Sequence, residues 1–286
     1  VKLVLPIEGK ILDAVRTLVP GASNRTLRQM FEYGRVRLNG QIEKIPSRRV
    51  AAGDVLEISA HGSARSDLHG LKIVYEDRDL LLVEKPSGLL TVATEHEHEK
   101  TAYAFLREYL KQQDTRQKLF IVHRLDKFAS GVLVFAKSEL VQSSLQNLFS
   151  RHDVERKYWA IVEGRVEKES GTLCSRLAEN RARRMHSIED DSKGKQAVTH
   201  FRVLRRFPQL TALEMTLETG RKNQIRVHLS EMGHPIVGDR AYGSKIDPMG
   251  RLGLHAFLLG FKHPTLGTRI QHQTEIPPEF ARYLKT

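Results

Sequence analysis

The stretch Val122-His123-Arg124-Leu125-Asp126-Lys127-Phe128-Ala129-Ser130-Gly131, running straight into Val132-Leu133-Val134-Phe135-Ala136, decides how this chain is read. Residues 131–136 are too few and too rich in β-branched side chains for anything but a buried strand. Asp126 therefore falls in the loop that enters that strand, between an arginine and a glycine turn. The chain around it is strongly basic: 46 Lys and Arg stand against 34 Asp and Glu, a formal charge of +12 with a pI near 9.8. Such an excess attracts polyanions through long-range electrostatics, which makes nucleic acid the leading partner.

Length and composition set outer limits. A chain of 286 residues that is 40% hydrophobic can bury one large core and has room for a second, small one. Its one cysteine, Cys174, excludes an intramolecular disulfide and a multi-cysteine zinc site, and is expected to be buried. The first residues lack the apolar core of a signal peptide, and no apolar run approaches the roughly 20 residues of a membrane span. A cytoplasmic protein without membrane contact is expected.

Residues 1–60 read as a separate unit. A helical pattern through Ile11, Leu12, Val15, Leu18 and Val19 is broken by Pro20-Gly21. Ser23 or Asn24 is placed to cap a second helix with Leu27, Met30 and Phe31 on its apolar side, ended by Gly34. Arg35-Val36-Arg37-Leu38, Asn39-Gly40 and Gln41-Ile42-Glu43-Lys44 then spell a β-hairpin with a two-residue turn. Residues 61–70 read as a flexible linker. From Leu71 to the end, strands and helices mix: strands near 73–75, 80–83, 131–136, 157–162, 198–204 and 210–217, and helices near 100–112, 139–149 and 223–232. The first of these helices is expected to turn Ala104, Phe105 and Tyr109 inward, and the last is expected to close the series. The fold class is α+β, a large, mostly antiparallel mixed sheet with flanking helices and a small α+β domain ahead of it.

Residues 122–131 resemble the signature H-R-L-D-x-x-T-S-G of the RluA-type pseudouridine synthases. Three further segments fit the same family in the expected order: Lys85-Pro86, Glu155-Arg156-Lys157-Tyr158 with the strand after it, and Gly220-Arg221-Lys222-Asn223-Gln224-Ile225-Arg226-Val227-His228. Residues 10–60 are similar to the alpha-L RNA-binding module first described in a small-subunit ribosomal protein. The resemblance implies an enzyme that converts uridine to pseudouridine in RNA, without a cofactor, a metal or an obligate protein partner. Ribosomal RNA of the large subunit is the expected substrate and transfer RNA the runner-up.

The chemistry explains the residue types. Breaking a glycosidic bond and rejoining uracil through carbon 5 calls for an ionised carboxylate beside ribose and base, either as nucleophile or to stabilise positive charge on the sugar. Asp126 is that group. Enclosure disfavours its charged form, so a fixed cation must lie near, and the resemblance gives Arg226 this part. Tyr158 would stack on the everted uracil with its hydroxyl available for proton transfer. Arg124 would fill the space the base vacates, or else form a salt bridge that shapes the loop. Lys85, Pro86 and Gly131 are expected to support the loop. Arg221 and Lys222, at the opening of a helix, are assigned to phosphate, as are Arg25, Arg28, Arg35 and Arg37 in the N-terminal module. Arg183 and Arg184, in a cationic stretch from Arg176 to Lys195, either bind RNA backbone or belong to a solvated insertion. Two positions depart from the family pattern: Ala129 stands for threonine and Asn223 for histidine.

Two other classes were weighed. An RNA-binding protein that has lost its activity would be expected to lack the aspartate or its arginine, and both are present. A metalloenzyme or hydrolase is suggested only by thirteen histidines and His96-Glu97-His98, with no G-x-S-x-G, Walker loop or H-E-x-x-H to support it.

Overall fold

The computed structural model describes residues 2–6, 8–32, 36–58, 68–95, 97–189 and 194–284. Packing divides the chain into two units, Val1–His69 with Phe105–Lys118, and Gly70–Ala104 with Leu119–Thr286. Residues 105–118 group by packing with the first unit.

In the first unit β1 (Lys2–Val4) and β2 (Gly9–Lys10) precede α1 (Ile11–Leu18) and α2 (Asn24–Glu32), followed by β3 (Val36–Leu38), β4 (Gln41–Ile42), β5 (Arg49–Val50) and β6 (Val55–Ile58). The Ser23 hydroxyl accepts the Thr26 N–H at 3.1 Å, satisfying one of the donors that a helix N-terminus leaves open. Asn39 and Gly40 join β3 to β4 at φ 50° and 80°, the pair of positive angles a two-residue turn between right-twisted strands demands. Strands run in the order β1-β6-β3-β4, and Ile11, Val15, Leu27, Phe31, Val36 and Leu56 form the core. Gly34, Arg35 and residues 61–67 of the expected linker lie outside the described residues.

The second unit is built on one large sheet. Its elements are β7 (Lys72–Glu76), β8 (Leu80–Lys85), α3 (Ala102–Gln113, shared with the first unit), β9 (Phe120–Ile121), β10 (Ser130–Ala136), α4 (Glu139–Ser150), β11 (Glu155–Glu163), β12 (Ser170–Glu179), β13 (Met185–Ile188), β14 (Lys195–Arg206), β15 (Leu210–Leu217), α5 (Gln224–Glu231), β16 (Leu254–Lys262), β17 (Arg269–Gln273) and α6 (Pro278–Leu284). The strand order is β13-β12-β14-β15-β11-β16-β10-β8-β7, with β17 added to β16 and β9 to β10. Only β10 and β16 run parallel among the described pairs, so the sheet is mixed and mostly antiparallel, as expected. Helix α4 covers one face through Val141 and Leu145 against Leu80, Leu82, Val132 and Val134. Elsewhere Phe280 and Tyr283 of α6 pack with Trp159, Ile161 and Phe257. Each such side chain contributes roughly 2 kcal/mol through burial.

Three expectations are corrected. Helix α5 is not the last element; β16, β17 and α6 follow it, and β16 is one of the most buried strands of the sheet. Its run of apolar residues does not alternate, which hides a strand covered on both faces. In α3 the buried row is Ala102, Leu106 and Leu110, at a spacing of four, while Ala104, Phe105 and Tyr109 are half-buried at its border. Cys174 is exposed, because β12 alternates between covered and open positions there and places it outward.

The sheet positions the loop of Asp126. Strands β9 and β10 pair antiparallel, Phe135 with Ile121 and Ala136 with Phe120, so residues 122–129 form the excursion between them. At the other end Ser130 and Gly131 pair with His255 and Ala256 of β16. Gly131 sits at φ 123°, and a Cβ there would lie 2.1 Å from the Ala256 carbonyl oxygen. Neither the angle nor the contact tolerates a side chain. Gly131→Ala should abolish folding of the second unit: loss of the cooperative thermal transition and of soluble protein is expected, and a variant melting within a few degrees of the parent would refute the argument.

Candidate active site

The loop is held from beneath by a lysine. Lys85, at the end of β8, is almost fully buried, and its Nζ donates to the carbonyls of Ala129 and Leu89 at 2.7 Å, Pro86 at 2.9 Å and Lys127 at 3.2 Å. Burial pushes its pKa down to about 7, while Asp126 pulls it up. The turn adds two bonds: Ser87 Oγ donates to the Phe128 carbonyl at 2.7 Å and the Gly88 N–H to that of Lys127 at 2.9 Å. Thr91 clamps Leu125, its hydroxyl donating to the carbonyl at 2.8 Å and accepting the N–H at 3.1 Å. His123 accepts the Val134 N–H on Nε2 at 3.1 Å, and burial pushes its pKa down to about 3, so the ring is neutral. The backbone on both sides of Asp126 is thus tied to strand or turn.

Asp126 emerges into a cavity of about 380 Å³ whose wall includes Arg124, Arg156, Tyr158, Asn223 and Arg226. That volume is at the small end of pockets that enclose small molecules. Arg226 Nη1 lies 3.5 Å from Asp126 Oδ2. Its stronger partner is a residue the sequence reading missed: Asp239 takes Nε at 2.7 Å and Nη2 at 2.8 Å, a two-pronged pair with the carboxylate almost wholly buried. Burial alone would lower the Arg226 pKa, but the bonds to Asp239 outweigh it and hold it above the ordinary value. The Tyr242 ring lies 4.7 Å from the guanidinium carbon. One cation therefore serves two carboxylates, one sealed and one facing the cavity.

Asn223 explains one departure from the family pattern. It sits at φ 54°, a left-handed angle that asparagine adopts more readily than most residues. Its Oδ1 accepts from Arg226 Nη1 at 3.1 Å and its Nδ2 donates to the Tyr242 hydroxyl at 3.1 Å, linking the two groups around the cavity. Ala129 is buried and makes no side-chain bond, its carbonyl serving Lys85.

Tyr158, on β11, is buried on the same cavity. Burial raises its pKa, the Arg156 charge lowers it and the Asp126 charge raises it. Arg124 is exposed and forms no hydrogen bond or ion pair among the described residues, so the loop-shaping salt bridge weighed for it is absent there. In the second unit the other cations assigned to RNA have partners. Arg221 Nε donates to the Gln196 carbonyl at 3.0 Å, and its N–H is already taken by Gln224 Oε1 at 2.9 Å. Lys222 pairs with Glu179, and Arg183 grips Glu95 at 2.9 and 3.1 Å. Arg184 lies over the Tyr242 ring at 4.8 Å. The cationic stretch is a hairpin of β12 and β13. In the first unit Arg28 is exposed and Arg37 bonds the Gly40 carbonyl at 2.8 Å; nothing is described for the Arg25 side chain.

His96 lies outside the described residues, and the Glu97 carboxylate is occupied by the N–H groups of Glu99 and Lys100. Among the described residues no group of three or more His, Cys, Asp or Glu is arranged to hold a metal ion. No helix described is long and apolar enough to cross a membrane. Asp239 carried only a weak signal, a Gly-Asp turn in an apolar setting, and Thr91 carried none.

The Asp239–Arg226 pair generates a stability prediction. Asp239→Asn leaves the guanidinium with half its counter-charge, and should cost about 3 kcal/mol and several degrees of Tm. A melting curve within one degree of the parent would show the pair to be dispensable.

Comparison with known proteins accords with this arrangement. The sequence model of a family described as RNA pseudouridylate synthase matches residues 79–231. An uncharacterized RNA pseudouridine synthase of Bacillus subtilis is 34% identical over 92% of this chain and 89% of its own length. Ribosomal large subunit pseudouridine synthase D of Vibrio cholerae is 31% identical over 95% and 89%. The solved human RNA pseudouridylate synthase domain containing 4 superposes with a TM-score of 0.62 at 25% identity, over 74% of this chain and 92% of that one. The chain belongs to the RNA pseudouridylate synthase family and is an RNA-modifying isomerase.

Proposed function

We propose that the protein isomerises uridine in large-subunit ribosomal RNA, with Asp126, Arg226 and Tyr158 forming the reacting centre. The observation that carries this reading is the 3.5 Å approach of Arg226 to Asp126 in a cavity that Tyr158 also lines. Relatives similar over nearly the whole chain are named for the large ribosomal subunit, which supports the choice of substrate. Ribosomal RNA as substrate goes with a cytoplasmic location.

The reaction exchanges one bond for another. The bond from C1′ to N1 breaks, the uracil turns, C5 joins C1′, the proton on C5 leaves and N1 gains one. Asp126 attacks or steadies the electron-poor centre, with the Arg226 guanidinium 3.5 Å away as its counter-charge. Because Asp239 already holds Arg226, the cation does not have to be ordered when substrate arrives. Arg124, without a protein partner in the described structure, is free to enter the base stack as the uridine is everted. Lys85, Pro86 and Gly131 hold the loop. Lys222 and Arg183 would exchange exposed carboxylate partners for phosphate at small cost, since such pairs contribute little in water, and Arg221 and Arg184 would add to the same phosphate-binding face.

The domain reading becomes a proposal of the same kind: residues 1–60 as a docking module for RNA, 61–70 as linker and 71–286 as the isomerase, with Arg25, Arg28, Arg35 and Arg37 on the docking face. Residues 105–118 pack with the module, so deleting it would strip their cover.

Two experiments test this function. Asp126→Asn should lower tritium release from RNA labelled at uridine C5 by at least about a thousand-fold while RNA affinity stays within about two-fold. Turnover at the parental rate would remove Asp126 from the chemistry, and release from transfer RNA but not ribosomal RNA would change the substrate. Arg28→Ala with Arg37→Ala should weaken binding to all RNAs alike and flatten the dependence of log affinity on log salt by about one to two units. An unchanged slope would count against the docking face.

A further inference from the structure

Arg156 is the least compensated buried charge on the wall of the uridine cavity. It lies on β11 two residues before Tyr158, and only 6% of its surface is exposed. Its Nη2 donates to the carbonyls of Glu218 at 2.7 Å and Leu217 at 3.4 Å, while the buried Nε finds no acceptor. Nη1 has no hydrogen bond and the guanidinium has no carboxylate partner among the described residues. The Phe149 ring, 5.3 Å from the guanidinium carbon, provides the remaining support. Space for the group depends on Gly220, where a Cβ would stand 2.6 Å from Nη1.

This is a costly arrangement. A buried guanidinium loses several kcal/mol of hydration, and two bonds to neutral carbonyls do not restore it. The cost makes sense where negative charge appears during the reaction, because a cation already in place needs no reorganisation at that moment. Around Arg226 two carboxylates face one guanidinium, so this cation is already engaged where an electron-poor sugar would sit. The electron pair of the breaking bond stays with the uracil, spread over N1 and the two carbonyl oxygens. That charge calls for a separate cation. Tyr158 feels both groups in opposite senses, Arg156 lowering its pKa and Asp126 raising it.

We propose that Arg156 is a further functional residue of this cavity, a positioning charge that stabilises the uracil anion formed when the glycosidic bond breaks. The inference rests on the proposed isomerase reading of the same cavity.

The test uses the full chain and a large-subunit ribosomal RNA transcript tritiated at uridine C5, under single turnover. Arg156→Lys and Arg156→Gln both retain donors for the Leu217 and Glu218 carbonyls and differ in charge. The lysine variant is expected to react at least about ten-fold faster than the glutamine variant, with KM alike in both. Arg156→Ala is expected to lose at least about 100-fold in rate and to recover about ten-fold with added guanidinium ion but not with urea, its uncharged counterpart. Equal rates for Lys and Gln, or equal rescue by urea, would overturn the proposal and leave Arg156 a packing residue. If alanine prevents folding, the Lys and Gln pair decides alone. A parent protein that releases no tritium would instead defeat the isomerase reading, and this inference with it.

Discussion

One guanidinium shared between two carboxylates is the constraint around which this protein is arranged. Asp239 is sealed from water and holds Arg226 by two short bonds, and the same cation reaches Asp126 across the cavity at 3.5 Å. A charge locked in this way has a fixed position, and that position faces the Asp126 carboxylate across the cavity. The cost is met by the pairing, since neither Arg226 nor Asp239 could be buried alone.

Two other devices keep Asp126 at that place. Lys85 directs its ammonium group at four backbone carbonyls, two in the loop and two in the turn beside it, and so converts an excursion of the chain into a fixed surface. The absence of a side chain at Gly131 lets β10 approach β16 closely enough to pair in parallel. Together they give the loop of Asp126 the rigidity of the strands on either side, which is what preorganised electrostatics requires. The cavity thus holds a carboxylate facing Arg226 and, farther along the wall, a buried arginine with no carboxylate partner among the described residues.

Much of this was legible in the order of residues. The hairpin at Asn39-Gly40 follows from two positive backbone angles that few residue pairs supply, and β10 follows from an unbroken apolar run. The resemblance of four spaced motifs brought Asp126, Tyr158 and Arg226 to one place, where the cavity also holds them. The reading failed where burial comes from neighbours far along the chain. Strand β16 does not alternate because both its faces are covered, the apolar row of α3 is set by what packs on it, and Cys174 is exposed because its strand turns it outward.

The sequence by itself determined the class of reaction and the α+β architecture, since these rest on residue type, local spacing and period. Tertiary structure alone decided the charge balance of the site. Asp239 lies 13 residues beyond Arg226 in the chain and Arg156 lies 70 before it, and no local pattern distinguishes a sealed carboxylate from a solvated one, or an unpaired guanidinium from a surface arginine. Those distinctions depend on distance and on access to water, which exist only once the sheet has closed around them.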